Sequence, residues 1–524
     1  MPGSTNTRLN KPVIHSSEAA ELVGNGQTLF VGGSGGGIQE PTALLSALGE
    51  RFDATGEPTD LTVWHASGVG DRESTGLSLI AREGMLSRVV GGHWGMAPQL
   101  AALATEGRIE AYNFPQGAIS QLMREIAGGR PGLVTPIGLG TFVDPRFEGG
   151  RLNARTTEDI VQLVHVGAQD CLFYPSFKID VAFIRATTAD ELGNLSFEEE
   201  AAFLEALSVA QATRASEGTV VAQVKYLAEA GTLNPHAVRV PGVAVDKIVR
   251  EPDQSQTCRR QYDPALSGRL RTPAASLPRM QFGARKIIAR RAAMEIPTGS
   301  VVNLGVGIPD GVASVAAEDG RLGDLTFAIE QGHVGGVPAS GVEFGAAANA
   351  YATVDQPYQF DFFGGGGLDV AFLGMAEADA EGNVNVSRFG NTLAGCGGFV
   401  DITQGTSQVI FCGTFTAAGL EVEAAGGELR ILKEGRNSKF VREVEQVTFG
   451  GGRALEQDQE VLYVTERAVF RLGEGGIELV EIAPGVEVER DILRHMGFQP
   501  VIDGLREMPR ALFYEDSRRR EVMG

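Results

Sequence analysis

Residues 325–338 read LTFAIEQGHVGGVP, an apolar run that ends at Glu330 and passes directly into a glycine-rich turn. The apolar run is typical of a buried β-strand, and the glycines allow the following backbone to approach a ligand closely. Ligands of open α/β sheets bind beyond the carboxyl ends of the strands, so the stretch predicts such a sheet, with Glu330 facing its crevice as a candidate nucleophile. The simpler interpretation is a solvated glutamate at the end of a strand.

An earlier copy of this turn is present in the chain. Residues 92–98, GHWGMAP, repeat residues 332–338, GHVGGVP, with Gly, His, Gly and Pro at matching places, which puts Val90 in the position of Glu330. Residues 180–194 and 369–383 likewise share D-V-A-F, A-D and G-N at a constant spacing. The sequence therefore predicts two related halves, and only the second carries the carboxylate.

The order of predicted elements favours two domains of one class. A chain of 524 residues exceeds what one hydrophobic core usually supports. Short apolar strands alternate with amphipathic segments, which is typical of open α/β domains with mostly parallel sheets. Residues 251–284 break this pattern because they are rich in Pro, Gln, Ser and Arg. We predict an N-terminal α/β domain at 1–250, a linker or crossing segment at 251–284, and a C-terminal α/β domain at 285–524 that becomes strand-rich beyond about residue 405.

Composition argues against several classes of partner. The net charge of −21 and the sequence pI near 4.9 oppose nonspecific binding to nucleic acid or to an anionic membrane surface. No apolar stretch reaches the roughly 18 residues of a membrane-spanning helix. The four cysteines have no zinc-like spacing, and no signal peptide is recognisable. We expect a cytoplasmic protein that binds neither nucleic acid nor membrane.

Other motifs give weaker predictions. Residues 32–36, GGSGG, satisfy the G-x-S-x-G pattern of a serine hydrolase, but a glycine-saturated run contains it almost automatically, and residues 303–309 of the second copy have no serine. Neither a dinucleotide fingerprint nor a P-loop is present. His93 and His333 lack a second ligand at helical spacing, so turn histidines are favoured over a metal site.

Several segments together resemble one enzyme family. They are 330–338 (EQGHVGGVP), 303–309 (NLGVGIP), 355–361 (DQPYQFD), 364–369 (GGGGLD) and 395–399 (GCGGF), with 138–146 and 186–201 in the first half. With these segments the chain is similar to the family I coenzyme A (CoA) transferases, most of all to the single-chain acetate or 3-ketoacid type. The resemblance implies an enzyme of short-chain fatty acid or ketone body metabolism. It also implies a homo-oligomer, dimer or tetramer, that uses acyl-CoA and a small carboxylate as substrates and needs no other cofactor.

The resemblance also assigns roles. Glu330 would attack the acyl-CoA thioester, and CoA would then attack the resulting anhydride to form a glutamyl-CoA thioester. The Gln116 amide and the backbone N–H of the turn at Gly397 and Gly398 would stabilise the oxyanions. A carboxylate with an ordinary pKa is ionised at neutral pH and needs no partner base. The glycines implied in substrate binding are Gly35, Gly36, Gly37, Gly305, Gly307, Gly366, Gly367 and Gly397.

Two alternatives stay open at this stage. The same glutamyl intermediate could pass to water, which would make the protein an acyl-CoA thioester hydrolase. A noncatalytic ligand-sensing module is the other alternative, because layered folds of this kind also serve in regulators.

The cations considered for the CoA phosphates are Lys433, Arg436, Lys439 and Arg388. None of them is assigned as a contact.

Overall fold

The computed structural model describes residues 10–273 and 280–515. Within them each half of the chain contributes one sheet of ten strands, and the predicted class of two open α/β domains with mostly parallel sheets is confirmed. The strands of the first half are β1 (Val13–Ile14), β2 (Thr28–Val31), β3 (Leu61–His65), β4 (Leu86–Gly91), β5 (Glu110–Asn113), β6 (Gly132–Thr135), β7 (Gln162–Val166), β8 (Gln169–Pro175), β9 (Val181–Asp190), β10 (Leu195–Ser196), β11 (Thr219–Ala228), β12 (Val238–Val240) and β13 (Lys247–Arg250). Its helices are α1 (Ser16–Glu21), α2 (Thr42–Thr55), α3 (Pro98–Thr105), α4 (Gln116–Ala127) and α5 (Ala206–Ala215).

The first sheet is built around buried parallel strands. Its order is β1-β13-β11-β9-β2-β3-β4-β5, and every neighbouring pair on this path is parallel. All ten residues of the central strand β9 are buried. This is the pattern of a parallel sheet covered by helices on both faces, which requires near-continuous apolar strands. The ligand-binding edge of such a sheet lies at the carboxyl ends of its strands.

The second half repeats this plan and adds antiparallel strands. Its strands are β14 (Val301–Leu304), β15 (Thr326–Ile329), β16 (His333–Val334), β17 (Val337–Pro338), β18 (Ala347–Ala348), β19 (Ala352–Thr353), β20 (Leu368–Gly374), β21 (Glu377–Ala378), β22 (Val384–Asn385), β23 (Arg388–Phe389), β24 (Thr392–Leu393), β25 (Thr406–Cys412), β26 (Thr416–Ala417), β27 (Glu421–Ala425), β28 (Glu428–Lys433), β29 (Asn437–Ser438), β30 (Glu460–Val464), β31 (Ala468–Gly473), β32 (Gly476–Ile482) and β33 (Val501–Glu507). Its helices are α6 (Ala284–Ala293), α7 (Asp310–Glu318), α8 (Gln356–Gly364), α9 (Phe399–Gln404) and α10 (Gly451–Glu456). The sheet order is β19-β16-β15-β14-β20-β25-β30-β31-β32-β33, with β15, β14, β20, β25 and β30 parallel.

The sheet orders revise one detail of the predicted repeat. In the first sheet β3 lies directly beside β2, and in the second β15 lies directly beside β14. The strand equivalent to β15 is therefore β3, which ends at His65, whereas Val90 belongs to β4, one place further out. The prediction that Val90 occupies the position of Glu330 is wrong, because similar glycine turns follow two different strands.

The segment between the sheets is partly buried. The first sheet ends with Arg250, and α6 begins at Ala284. Gln254, Gln256 and Thr257 in between are buried. The boundaries at 250 and 284 stay a prediction, and residues 274–279 of the segment lie outside the described residues.

The two halves are held together by polar and backbone contacts. Arg124 pairs with Asp361 at 2.5 Å, and Arg239 pairs with Asp355 at 2.8 Å. Gly36 has φ +71°, and a Cβ on it would lie 2.2 Å from the carbonyl oxygen of Val342 in the other half. Two backbone turns therefore meet here with no space for a side chain.

Among residues 10–273 and 280–515, no helix has both the length and the apolar character that crossing a bilayer requires.

Candidate active site

A cavity of about 250 Å³ lies between the two halves at the carboxyl ends of their parallel strands. From the first half it is lined by residues that follow β2, β3 and β4 and by the start of α4. From the second half it is lined by residues at or just after the carboxyl ends of β14, β15 and β20 and by the turn before α9. The lining includes Ser34, Gly35, Ser67, Arg72, His93, Met96, Gln116, Asn303, Gly305, Glu330, Gln331, Gly374, Gly397 and Gly398. The structure thus brings Glu330, Gln116 and Gly398 together.

Glu330 is a buried carboxylate whose loss of solvation is only partly offset by hydrogen bonds. It directly follows β15, its residue is 8% exposed, and Oε2 has no hydrogen-bond partner among the described residues. Burial raises the Glu330 pKa to about 7, opposed by hydrogen bonds from its own backbone and the Asn303 side chain and reinforced by the charge of Asp310. The carboxyl group is therefore only partly ionised at neutral pH. This corrects the expectation of an ordinary, fully ionised carboxylate.

Gln116 reaches the cavity from the opposite half. It is the first residue of α4, and its side chain is buried. Its backbone N–H donates to the Gly397 carbonyl at 2.9 Å, which ties α4 to the second half. Its side-chain Nε2 donates to Oε1 of Gln356 at 3.1 Å. Because Glu330 and Gln116 belong to different halves, the site is complete only when the halves are in contact.

The turn before α9 provides one available backbone donor. Gly397 has φ +53°, and its N–H donates to the Gly92 carbonyl at 2.7 Å. The Gly398 N–H has no acceptor in the part of the chain that the structure describes. Of the two predicted donors, Gly398 is therefore the one free to bind an oxyanion, while Gly397 supplies the left-handed conformation that the turn requires.

Known proteins are similar to this chain over nearly its whole length. The family model described as coenzyme A transferase matches residues 13–251. The caffeate CoA-transferase of Acetobacterium woodii is 46% identical over 512 residues, which cover 96% of this chain and 97% of that protein. The acetate CoA-transferase YdiF of Escherichia coli O157:H7 is 44% identical over 510 residues, covering 96% and 95%. The chain belongs to the coenzyme A transferase family.

Solved structures agree with this assignment. The apoenzyme of the acyl-CoA transferase YdiF from Escherichia coli O157:H7 superposes on the transferase with a TM-score of 0.94 at 43% identity, covering 98% of both chains. A second structure of that protein, a thioester complex with CoA, gives 0.92 at 42% identity and the same coverage. The predicted family and the predicted enzyme class, a CoA-transferase, are confirmed.

Several predicted glycines of the transferase lie away from the cavity. Gly366 and Gly367 precede β20, whereas the cavity is lined by Gly374 at the other end of the same strand. Seven residues of strand separate the two ends by roughly 20 Å. The expectation that these two glycines bind substrate is corrected, because they lie at the amino edge of the sheet.

The glycine loops after β2 and β14 each contribute only their first part. Gly35 and Gly305 line the cavity. Gly36 and Gly37 instead pack against the backbone at Val342 and Cys258, and the Gly307 N–H donates to Asp310 Oδ2 at 3.1 Å. Gly36, Gly37 and Gly307 therefore shape the loops and do not line the cavity.

The sequence did not predict that His93 and Arg72 line the cavity. Burial lowers the His93 pKa to about 4, with further contributions from the Arg72 and His65 charges, so the imidazole is neutral at neutral pH. Its Nδ1 has no partner among the described residues. The repeat contained a signal for His93, but nothing in the sequence set Arg72 apart.

No cluster of metal-ligating side chains exists within residues 10–273 and 280–515.

Ser34 also reaches the cavity of the transferase, but it lacks the partner that a nucleophilic serine needs. Its hydroxyl accepts a hydrogen bond from Gln331 Nε2 at 3.3 Å, and no histidine of the described residues is bonded to it. A serine nucleophile requires an adjacent general base. The geometry therefore favours Glu330 over Ser34.

Proposed function

We propose that the transferase moves CoA between a short-chain acyl-CoA and a small carboxylic acid, such as acetate, propionate or a 3-keto acid, through a thioester on Glu330. The observation that carries the proposal is a buried carboxylate oxygen without a partner, in one cavity with the Gln116 amide and the Gly398 N–H. The thioester complex with CoA described for YdiF supports a covalent intermediate. CoA enters as a substrate, and the proposed reaction needs no further cofactor.

Each step moves one acyl or thiol group. The Glu330 carboxylate attacks the thioester carbonyl, and the CoA thiolate leaves, giving an acyl-glutamyl anhydride. The thiolate then attacks the glutamyl carbonyl and expels the first acid as its carboxylate. A second acid repeats the two steps in reverse and restores the free glutamate. Every tetrahedral intermediate carries an oxyanion, which Gln116 and Gly398 are proposed to bind.

Trapping the intermediate tests the proposal. After incubation with acyl-CoA and no acceptor acid, borohydride should reduce the glutamyl thioester, and the peptide that contains Glu330 should show the corresponding mass change. An unmodified Glu330 in an enzyme that still turns over would contradict the proposal. Continuous release of free CoA in the absence of an acceptor, measured with a thiol reagent, would instead identify the hydrolase alternative.

The raised pKa of Glu330 predicts the pH dependence of the first step. Only the ionised carboxylate attacks, and its pKa is about 7. The rate of thioester formation at low acyl-CoA should therefore be half-maximal near pH 7, reach a plateau above it, and fall about tenfold per pH unit below it. Rapid-quench measurement of the carboxylic acid released from acyl-labelled acyl-CoA, from pH 5 to 9, measures this. A profile that stays flat down to pH 5 would contradict the buried, weakly acidic glutamate.

Arg72 is the residue that we propose as a determinant of acid specificity. It lines the cavity with φ +70°, and its guanidinium has no acidic partner in the described part of the chain. Its backbone is fixed, because its N–H donates to the Met96 carbonyl at 2.9 Å and Asp71 Oδ1 accepts from three following N–H groups. An unpaired cation held at a substrate cavity favours acids with a second carbonyl or carboxylate oxygen.

The corresponding prediction is a selective loss of activity. Arg72→Met should lower kcat/KM for acetoacetate about tenfold or more, because a hydrogen bond to a charged group is lost. Acetate offers no second oxygen function and should change by less than about threefold, so it serves as the internal control. Equal losses for acetate and acetoacetate would show that Arg72 does not select the acid.

Two properties of the setting belong to the proposal as expectations. The transferase is proposed to be a cytoplasmic homo-oligomer, dimer or tetramer. Light scattering during gel filtration measures the assembly directly. A monomer at all tested concentrations would contradict this part and leave the chemistry of Glu330 unaffected.

A further inference from the structure

The Gln356 side chain is buried behind the active site, where the two halves are in contact. It is the first residue of α8 and is fully buried. Its backbone N–H donates to the Leu204 carbonyl of the first half at 2.9 Å, and the preceding Asp355 pairs with Arg239. The main chain of Gln356 is therefore fixed against the first half. It does not line the cavity, and the proposed chemistry assigns it no role.

All hydrogen-bonding groups of its side-chain amide are used. Nε2 donates to Ser120 Oγ at 2.6 Å and to Glu205 Oε2 at 3.0 Å. Oε1 accepts from Gln116 Nε2 at 3.1 Å and from Ser67 Oγ at 3.5 Å. An amide has two N–H donors and one carbonyl oxygen with two lone pairs, so this set leaves none unmatched.

The surrounding groups determine which way the amide points. The Ser120 hydroxyl donates to the Gln116 carbonyl at 2.9 Å, so its oxygen is left to accept from Gln356. Burial raises the Glu205 pKa to about 8, so this carboxyl is mostly protonated at neutral pH; with the proton on Oε1, which has no partner among the described residues, Oε2 is a second acceptor on the same side. A flipped Gln356 would turn its oxygen towards Ser120 and lose the donors that both acceptors need. The contacts with Ser120 and Glu205 therefore favour the orientation in which its carbonyl oxygen faces Gln116.

This orientation is passed on to Gln116. Because Gln356 presents an oxygen, Gln116 must present its NH₂ group in return, and only one of the two N–H bonds is used. Gln116 Oε1 lies near Gly397, 3.7 Å from where a Cβ of that glycine would be. Gln116 lines the cavity, and its second N–H has no acceptor among the described residues, so it is available to a bound oxyanion. With the amide reversed, Gln116 would offer an oxygen to the oxyanion, which is repulsive.

We infer that Gln356, held by Ser120 and Glu205, is a positioning residue that fixes the Gln116 amide as a hydrogen-bond donor to the oxyanion. The inference rests on the proposed function, in which Gln116 binds that oxyanion. Gln356 itself does not touch the substrate.

The test is a double-mutant cycle. Gln356→Met keeps the length of the side chain and removes both hydrogen-bonding functions. It should lower kcat about 10- to 100-fold, less than the roughly 100- to 1,000-fold loss typical of deleting an oxyanion donor, while KM for acyl-CoA changes little. In a Gln116→Ala background the same change should lower kcat by less than about threefold, because residues that act as one unit are not additive.

Controls separate positioning from folding. Gln359→Met alters an equally buried glutamine of the same helix that is not part of the cavity, and it should keep wild-type kcat within about threefold. If Gln356→Met does not fold, Ser120→Ala replaces it, since it removes only one acceptor of the Gln356 amide; its loss of kcat should likewise vanish in the Gln116→Ala background.

The outcomes separate the positioning role of Gln356 from the oxyanion role of Gln116. Additive losses from Gln356→Met and Gln116→Ala, or a rise of KM with unchanged kcat, would overturn the positioning role. If Gln116→Ala alone leaves kcat unchanged, the oxyanion role in the proposed function fails, and the positioning role fails with it. If Gln116→Ala causes a large loss of kcat and Gln356→Met causes little further loss in that background, the oxyanion role of Gln116 and the positioning role of Gln356 are both supported.

Discussion

Replacing Glu330 with glutamine is expected to abolish CoA transfer, with a loss of kcat on the order of ten-thousandfold or more, because the amide cannot form the anhydride on which both half-reactions depend. Glu330→Gln keeps the size of the side chain in a cavity of about 250 Å³, so the substrates should still bind. Steady-state transfer from acyl-CoA to acetate measures the loss, and mass spectrometry after borohydride should find no label. Retained turnover would contradict the assignment of Glu330 as the nucleophile.

The same variant makes a prediction about stability that separates lost chemistry from lost folding. Burial raises the Glu330 pKa from 4.5 to about 7, so the folded chain binds this proton more tightly than the unfolded chain does. Stability is therefore lost as the pH rises from about 4.5 through 7. Glutamine carries no titrating proton. Glu330→Gln should melt near the wild-type temperature at pH 5 and above it at pH 8.

A second buried glutamate provides the matched control. Glu40 is also almost fully buried, one of its oxygens has no partner among the described residues, and burial raises its pKa. It does not line the active-site cavity. Glu40→Gln should therefore keep kcat within about threefold of wild type. A loss as large as that of Glu330→Gln would show that removing any buried charge, and not the nucleophile, inactivates the enzyme.

Replacing Gln116 with alanine should give the second largest effect, a loss of kcat of about 100- to 1,000-fold, because one donor to each oxyanion is removed. The ground-state substrate makes little use of this donor, so KM should change far less than kcat. Trapping should still label Glu330, only more slowly, because the nucleophile is intact. A change in KM alone would identify Gln116 as a binding residue without a role in the transition state.

Gln121 on the same helix is the control for Gln116→Ala. Its side chain donates to Asp361 at 2.9 Å, outside the cavity, so Gln121→Ala perturbs the same helix and the same contact between the halves. It should leave kcat within about threefold of wild type. If both variants lose activity equally, the loss comes from the fit between the halves and not from the oxyanion.

Local sequence patterns were sufficient for the fold and for placing Glu330 at the end of a strand. A short apolar strand followed by glycines has few alternative conformations, and two such units in one chain predicted two open sheets. Glu330 lies directly after β15, as the strand-end pattern required. Gln116 and Gly398 could be named only because separate motifs resemble one family, since no local pattern marks them.

The rest depended on contacts between distant parts of the chain. The glycine run before β20 gave no indication of which edge of the sheet it occupies, so Gly366 and Gly367 were assigned to the wrong edge. The raised pKa of Glu330 follows from burial between halves, which composition cannot report. The bond from Gln116 to Gln356 joins residues 240 positions apart, and no sequence spacing predicts it.

Because Glu330 and Gln116 come from opposite halves of a single polypeptide, the two parts of the site do not have to associate from separate molecules in solution. Their encounter is governed by the connection between them and not by how much enzyme is present. Strong dilution can dissociate an oligomer, but it cannot separate these two residues, so each molecule keeps both of them at one cavity even when the protein is scarce.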